Sequence, residues 1–368
     1  MRSSIKKGRS AIFKIRKPGS RGSSESWSAH AEASADKVDD EDHVCWPRAS
    51  GQKDEQKASF GRTIRNPLPS NSVLVPPRSR SILNSATMKK FIAAFDGLQL
   101  NTATLQYAIH LSKQCNAHLV GVFLEDILRT SYGVAEMRNY AGNDFDHHLN
   151  ELREKDSRTR QQSISIFEEA CTRAQLGFSI HRDQNVAHQE LLHESVYADL
   201  LIIGSGESLS RTRETSPPRF LRELLNEVQC PVLAVPPNYQ PPQKIVLLYD
   251  GEPSSVFALR AFSYLFSSIK HLPTEVLSVK REDDSAQLPD NRLITEFVER
   301  HFPNPEYIVL RGSPEEEILT HLTFENEKAL IVLGAYQRSR FSRLFRDSMA
   351  DVLMQHTSLP LFIAHNKS

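Results

Sequence analysis

Long hydrophobic runs are missing from this sequence: nowhere in its 368 residues do about 18 apolar residues follow one another, which excludes a membrane-spanning helix. An export signal is missing too. Met1-Arg2-Ser3-Ser4-Ile5-Lys6-Lys7 carries the charge of a signal-peptide opening, but no apolar core follows it. Cysteine is scarce, with four residues at positions 45, 115, 171 and 230. Their wide scatter, without short paired spacings, disfavours a disulfide framework and a zinc site, and a reducing cytoplasm is expected. Charge of a prevailing sign is also lacking, since 45 Lys and Arg stand against 45 Asp and Glu. Neither nucleic acid nor a membrane is expected as a partner.

The neutral balance hides an asymmetry. Before Met88 there are 16 basic and 9 acidic residues, a net of +7, and from Met88 onward 29 basic and 36 acidic, a net of −7. Residues 1–87 are rich in Ser, Arg, Lys, Gly and Pro and show no sustained period, so they lack the apolar surface that offsets ordering entropy. They are expected to be a disordered basic segment. Ala11-Ile12-Phe13-Lys14-Ile15-Arg16-Lys17 is basic and partly apolar, as an organellar presequence would be, but the acidic cluster Asp39-Asp40-Glu41-Asp42 argues against that reading. A nucleic-acid arm fits no better, because the basic residues are diluted by Ser and acids and no aromatics alternate with them. A further reading takes Met88 as the true start.

From Met88 the pattern changes. Lys90 to Phe95 reads as a buried strand ended by Asp96-Gly97, followed by a helix over Thr102 to Gln114 and a strand over His118 to Leu124. Helix (Arg158 to Ala174), strand (Phe178 to Arg182), helix (Ala187 to Tyr197), strand (Asp199 to Gly204), helix (Arg219 to Val228) and strand (Pro231 to Val235) complete a unit. Helical crossovers between strands require a parallel sheet covered on both faces. Pro236-Pro237-Asn238-Tyr239-Gln240-Pro241-Pro242 forms a stiff linker.

The unit then repeats. Lys244 to Asp250 (KIVLLYD) echoes Lys90 to Asp96 (KFIAAFD), Gly follows each, and Pro231-headed and Pro360-headed strands end the two copies. In the second copy, helices are expected over Val256 to Ile269, Arg292 to Phe302, Pro314 to Thr323 and Ser342 to His356. Strands are expected over Glu275 to Val279, Tyr307 to Leu310, Ala329 to Gly334 and Leu359 to Ala364. The expected fold is α/β, two tandem doubly wound five-stranded parallel sheets, with domains at 88–237 and 243–365. The apolar last strands, Val232 to Val235 and Leu361 to Ile363, are candidate edges for pairing. An intramolecular pseudo-dimer of the copies is expected, with a homodimer open beyond it.

A first strand ending in Asp-Gly, a fourth ending in Gly before a long loop, and a last helix leading to a Pro-headed strand resemble the universal stress protein family, tandem members included. The resemblance covers about three quarters of the chain and implies the nucleotide fold. In nucleotide-binding members it implies a first-strand Asp toward the nucleoside and a Gly-x-x-Gly, nine residues, Gly-Ser/Thr loop toward phosphate. Glycine lets backbone N–H groups approach anionic oxygens there, and a helix N-terminus adds partial positive charge. In the second copy Gly334 and Ser348 match, whereas Gln337 and Asp347 replace glycines. Arg338, Arg340, Arg343 and Arg346 are available to phosphate or to acidic neighbours. In the first copy Glu207 stands at the second glycine and Pro218-Arg219 at the Gly-Ser position, where proline removes a donor. The resemblance thus implies candidate ligand residues Asp250, Val279, Gly334, Arg338 and Ser348, with ATP or AMP as the candidate cofactor of the second copy only.

Catalysis is not expected. Ile203-Gly204-Ser205-Gly206 follows a buried strand but lacks the Gly-x-Ser-x-Gly of a nucleophile elbow, and Ala335 stands at the matching place of the second copy. His147-His148 with Asp144 and Asp146 is a weak metal candidate, because neighbours on a helix point about 100° apart. His301 and His321 read as helix-surface residues. The function read from sequence is that of a cytoplasmic stress-response protein that binds a protein partner or small ligand. A regulatory ATP or AMP sensor is the alternative, and an enzyme of the wider nucleotide fold the third.

Overall fold

A computed structural model describes residues 13–14, 89–124, 144–183, 186–210, 214–281, 287–325, 328–334 and 348–365. After a two-residue strand β1 (Phe13–Lys14), the first half runs β2 (Lys90–Asp96), α1 (Thr102–Cys115), β3 (His118–Leu124), α2 (Asp144–Arg173), β4 (Phe178–Asp183), α3 (Ala187–Val196), β5 (Leu200–Gly204), α4 (Arg219–Glu227) and β6 (Val232–Val235). The second half runs β7 (Lys244–Leu248), α5 (Pro253–Leu265), β8 (Thr274–Lys280), α6 (Asn291–His301), β9 (Glu306–Arg311), α7 (Pro314–Glu325), β10 (Ala329–Gly334), α8 (Met349–His356) and β11 (Leu361–Ala364). Local chemistry sets the ends of these elements. Asn101 caps α1 by accepting the Thr104 N–H at 3.1 Å, and Asn116 closes it in the left-handed region at φ 50°.

Each half is a parallel set of five strands with helices on both faces, ordered β4-β3-β2-β5-β6 and β9-β8-β7-β10-β11. The α/β doubly wound architecture expected from the alternation is therefore what forms. The two sets join through their last strands, β6 and β11, which pair antiparallel with Leu361 opposite Ala234 and Ile363 opposite Val232. One continuous sheet results, with β1 added antiparallel at the outer edge of β9.

The two halves also share apolar packing. Phe91 of β2 meets Phe266, just past α5, with ring centroids 6.1 Å apart, and within the second half Phe262 of α5 lies 5.3 Å from Phe362 of β11. These four rings are fully buried, and burying each contributes roughly 1.5–3 kcal/mol. The linker is fastened as well: the Tyr107 hydroxyl donates to the Gln240 carbonyl at 2.9 Å and accepts its N–H at 3.2 Å, with the Tyr239 ring 4.8 Å away.

Two features depart from the sequence reading. Helix α2 begins fourteen residues before the expected Arg158, through a stretch whose many charged residues mask any apolar stripe. His321 is no surface residue: it is buried on α7, 3.2 Å from the carboxylate of Glu275, which also pairs with Lys244. A comparable cluster in the first half joins Lys90 and Glu194 at 3.1 Å and Glu194 with His181.

Candidate nucleotide-fold clefts

In a doubly wound sheet, ligands bind outside the carboxyl ends of the strands where strand order reverses. Here that crevice lies between β2 and β5 in the first half and between β7 and β10 in the second.

In the second half, β7 leads into Tyr249, Asp250 and Gly251, and β10 ends at Gly334 on the same side. Asp250 is exposed, and its Oδ1 accepts the Glu252 N–H at 2.9 Å in a turn that opens α5. Burial raises the Tyr249 phenol, the carboxylates of Asp290 and Asp250 raise it further, and its hydroxyl donates to the Pro289 carbonyl at 3.1 Å. Gly334 abuts the first turn of α5: a Cβ there would stand 2.5 Å from the Ser254 carbonyl and 2.7 Å from the Ser255 nitrogen. Val279 sits near the end of β8, half-buried on the opposite sheet face from Ser278. Ser348 is the N-cap of α8, its Oγ accepting the Ala350 N–H at 3.4 Å while Asp351 accepts the Ser348 N–H at 3.3 Å. Four of the five candidates thus lie at one end of the sheet or on the helix leading back to it. Arg338 lies outside the described residues.

In the first half the chain itself packs over the end of β2. Asp96 is buried, and its Oδ1 accepts the Leu98 N–H at 2.9 Å. Helix α2 covers the end of β2: Ser163 donates to the Gly97 carbonyl at 3.0 Å, and the Arg160 stem lies 3.2 Å from where a Gly97 Cβ would be. At the start of α4, where an anion would be held, Glu214 accepts the Arg219 N–H at 2.9 Å. Glu214, Arg160 and Ser163 were not singled out from sequence, since none falls in a motif and each acts through a contact between distant or irregular segments.

His147 and His148 both lie near the carboxylate of Glu151, at 3.5 and 3.6 Å. Among the described residues no three His, Cys, Asp or Glu side chains converge as metal ligands. No described helix is long and apolar enough to cross a membrane.

Residues 243–365 match the model of the universal stress protein family. No curated protein matches the sequence. Among solved structures, a universal stress protein from Archaeoglobus fulgidus DSM 4304 is 14% identical, with a TM-score of 0.55, over 75% of this chain and 98% of its own. A protein of unknown function from Pseudomonas aeruginosa PAO1 is 14% identical over 75% of this chain and 92% of its own, with a TM-score of 0.43. A universal stress protein from Lactobacillus plantarum is 13% identical over 40% of this chain and 97% of its own, with a TM-score of 0.31. Residues 243–365 are thus similar to the universal stress protein family.

Proposed function

We propose that the protein is a non-catalytic, cytoplasmic stress-response protein of two universal stress protein-like domains, 88–237 and 243–365, that binds a partner through a scaffold whose nucleotide loops have degenerated. The observation that carries this reading is the carboxylate of Glu214 on the first N–H of α4, because that group occupies the donor a phosphate would need. In the second half the N-terminus of α8 is likewise engaged by Ser348 and Asp351. The cytoplasmic assignment draws support from Cys115, Cys171 and Cys230, all free thiols; burial pushes the Cys171 thiol up to about 12, which leaves it inert.

One observation favours a second reading, a sensor of ATP or AMP in domain 2. Asp250 is exposed where Asp96 is buried, so the second crevice is accessible at its nucleoside end. In that reading Asp250 faces the nucleoside, Val279 the base, and Gly334, Arg338 and Ser348 the phosphates. Calorimetric titration of the full chain with ATP and AMP separates the two. No heat at millimolar nucleotide is expected. Binding abolished by Asp250→Ala would establish the sensor instead, and ATP turnover abolished by Ser348→Ala would overturn the non-catalytic assignment.

A further inference from the structure

We propose that the face formed by α1, α2, α5 and α6 is a homodimer surface, on which the groove between α1 and α2 receives Leu293 and Tyr264 of a second copy of this chain. All four helices pack onto the same apolar cluster, so they share one face of the sheet. Leu105, Ile109, Ala170 and Ala174 line a groove of about 380 Å³, with Gln106 and Arg173 beside them.

The second half shows what fits such a place. Strand register aligns the halves: Ile92, Val120 and Ser179 lie side by side on β2, β3 and β4, as Val246, Glu275 and Glu306 do on β7, β8 and β9. Counting back from Ser179 and Glu306, Ile166, Ala170 and Ala174 correspond to Leu293, Phe297 and His301, and the core-facing Phe167 and Cys171 to Ile294 and Val298. The Phe297 and His301 ring centroids are 4.4 Å apart, with Tyr264 against His301 at 5.4 Å and the Ser263 Oγ 3.0 Å from its Nδ1. Two alanine methyls stand at the equivalent positions of the first half. The fold accommodates rings there, and the first half supplies none.

Shape and charge both select a second copy as the occupant. Tyr264 and Leu293 are 63% and 60% exposed on the same face of the sheet, and a tyrosine or leucine seated in an apolar pocket is an anchor of the kind that holds interfaces. Glu169 and Arg173 are exposed one turn apart on α2, and Glu296 and Arg300 repeat the pair on α6. Because β6 and β11 join the halves antiparallel, α2 and α6 run in opposite directions, and a two-fold axis parallel to the strands lays α6 of one copy antiparallel on α2 of the other. The crossing that sets Arg173 against Glu296 of the second copy then sets Glu169 against its Arg300, and symmetry makes each contact twice.

Sedimentation equilibrium on the full chain tests the proposal, with circular dichroism and urea unfolding to confirm that each variant is folded. The wild type is expected to dimerise with a dissociation constant on the order of 10 μM. Ala170→Phe with Ala174→His, which fills the groove with the rings of the second half, should weaken the dimer about tenfold or more. Leu293→Lys, at an exposed position that leaves the core untouched, should weaken it about tenfold as well. Arg173→Glu should weaken it about three- to tenfold, and adding Glu296→Arg should restore it. A chain that stays monomeric at about 200 μM, a dimer indifferent to Leu293→Lys, or a charge reversal that Glu296→Arg does not rescue overturns the proposal. A dimer weakened by Arg173→Glu but not by Leu293→Lys would pair α2 with α2 instead of α6, and overturns it too.

Discussion

Replacing Gly334 by alanine would put a methyl group 2.5 Å from the carbonyl carbon and oxygen of Ser254 and 2.7 Å from the Ser255 nitrogen, all of them backbone atoms. Ordinary contact begins near 3.4 Å, so the first turn of α5 or the end of β10 has to retreat by most of an ångström. Neither can do so freely. Ala258, Leu259 and Phe262 anchor α5 fully buried, and Leu330 to Leu333 of β10 are buried between neighbouring strands. Overpacking of this kind costs about 1–3 kcal/mol. Gly334 is not among the residues with positive φ, so the cost is one of space and not of backbone conformation. Gly206 is the control, because a Cβ there meets nothing within 4 Å, and Gly206→Ala should stay within about 0.5 kcal/mol of the wild type. Urea unfolding followed by circular dichroism measures both. A Gly334→Ala midpoint equal to that of the wild type would refute the close approach. The outcome bears on function as well, since a glycine that α5 already requires is not by itself a sign of a phosphate loop.

Two further predictions concern polar contacts. Tyr107→Phe should cost about 1 kcal/mol in urea unfolding, by removing the hydroxyl that serves both the N–H and the C=O of Gln240, and an unchanged midpoint would show that the linker is not fastened there. Burial alone would raise the Glu275 carboxyl, but hydrogen bonds from His321 and Lys244 hold it below its ordinary value. A carboxyl lowered in this way stabilises the fold above its unfolded value, roughly 4.3, and the contribution is lost as pH falls through the folded one. Glu275→Gln should therefore cost about 3 kcal/mol near pH 7, and the gap to the wild type should narrow below about pH 4. A gap independent of pH would assign the loss to packing.

The strands were legible because parallel strands covered on both faces are short apolar runs, and β3 and β10 have the bounds expected of them. The junction was legible in outline, since two apolar terminal strands needed edges to pair with, and β6 and β11 found each other. The contacts at the end of β2 and the start of α4 were only half legible. Pro218 announced a missing donor, but the carboxylate that takes the next N–H comes from Glu214 in an irregular segment, and the cover on Gly97 comes from Arg160 and Ser163, more than sixty residues on. Such contacts leave no period in a sequence; they follow from how a helix lies on a sheet.

The buried charge clusters carry this argument furthest. Lys90 and Lys244 open equivalent strands, yet their carboxylate partner is Glu194 on helix α3 in one half and Glu275 on strand β8 in the other. Glu194 is the eighth residue of α3 and His321 the eighth of α7, so the helix position that holds the carboxylate in one half holds the imidazole in the other. Read position by position, the two copies have diverged there, Glu against His. Read as physics, both copies satisfy one requirement: an ammonium at the foot of the first strand needs a carboxylate within reach, and a partly or fully buried carboxylate needs a second donor to offset its desolvation. Either neighbour can supply either group. The two halves therefore make the same kind of interaction with different residues, and a comparison of the halves by residue identity alone misses the constraint they share.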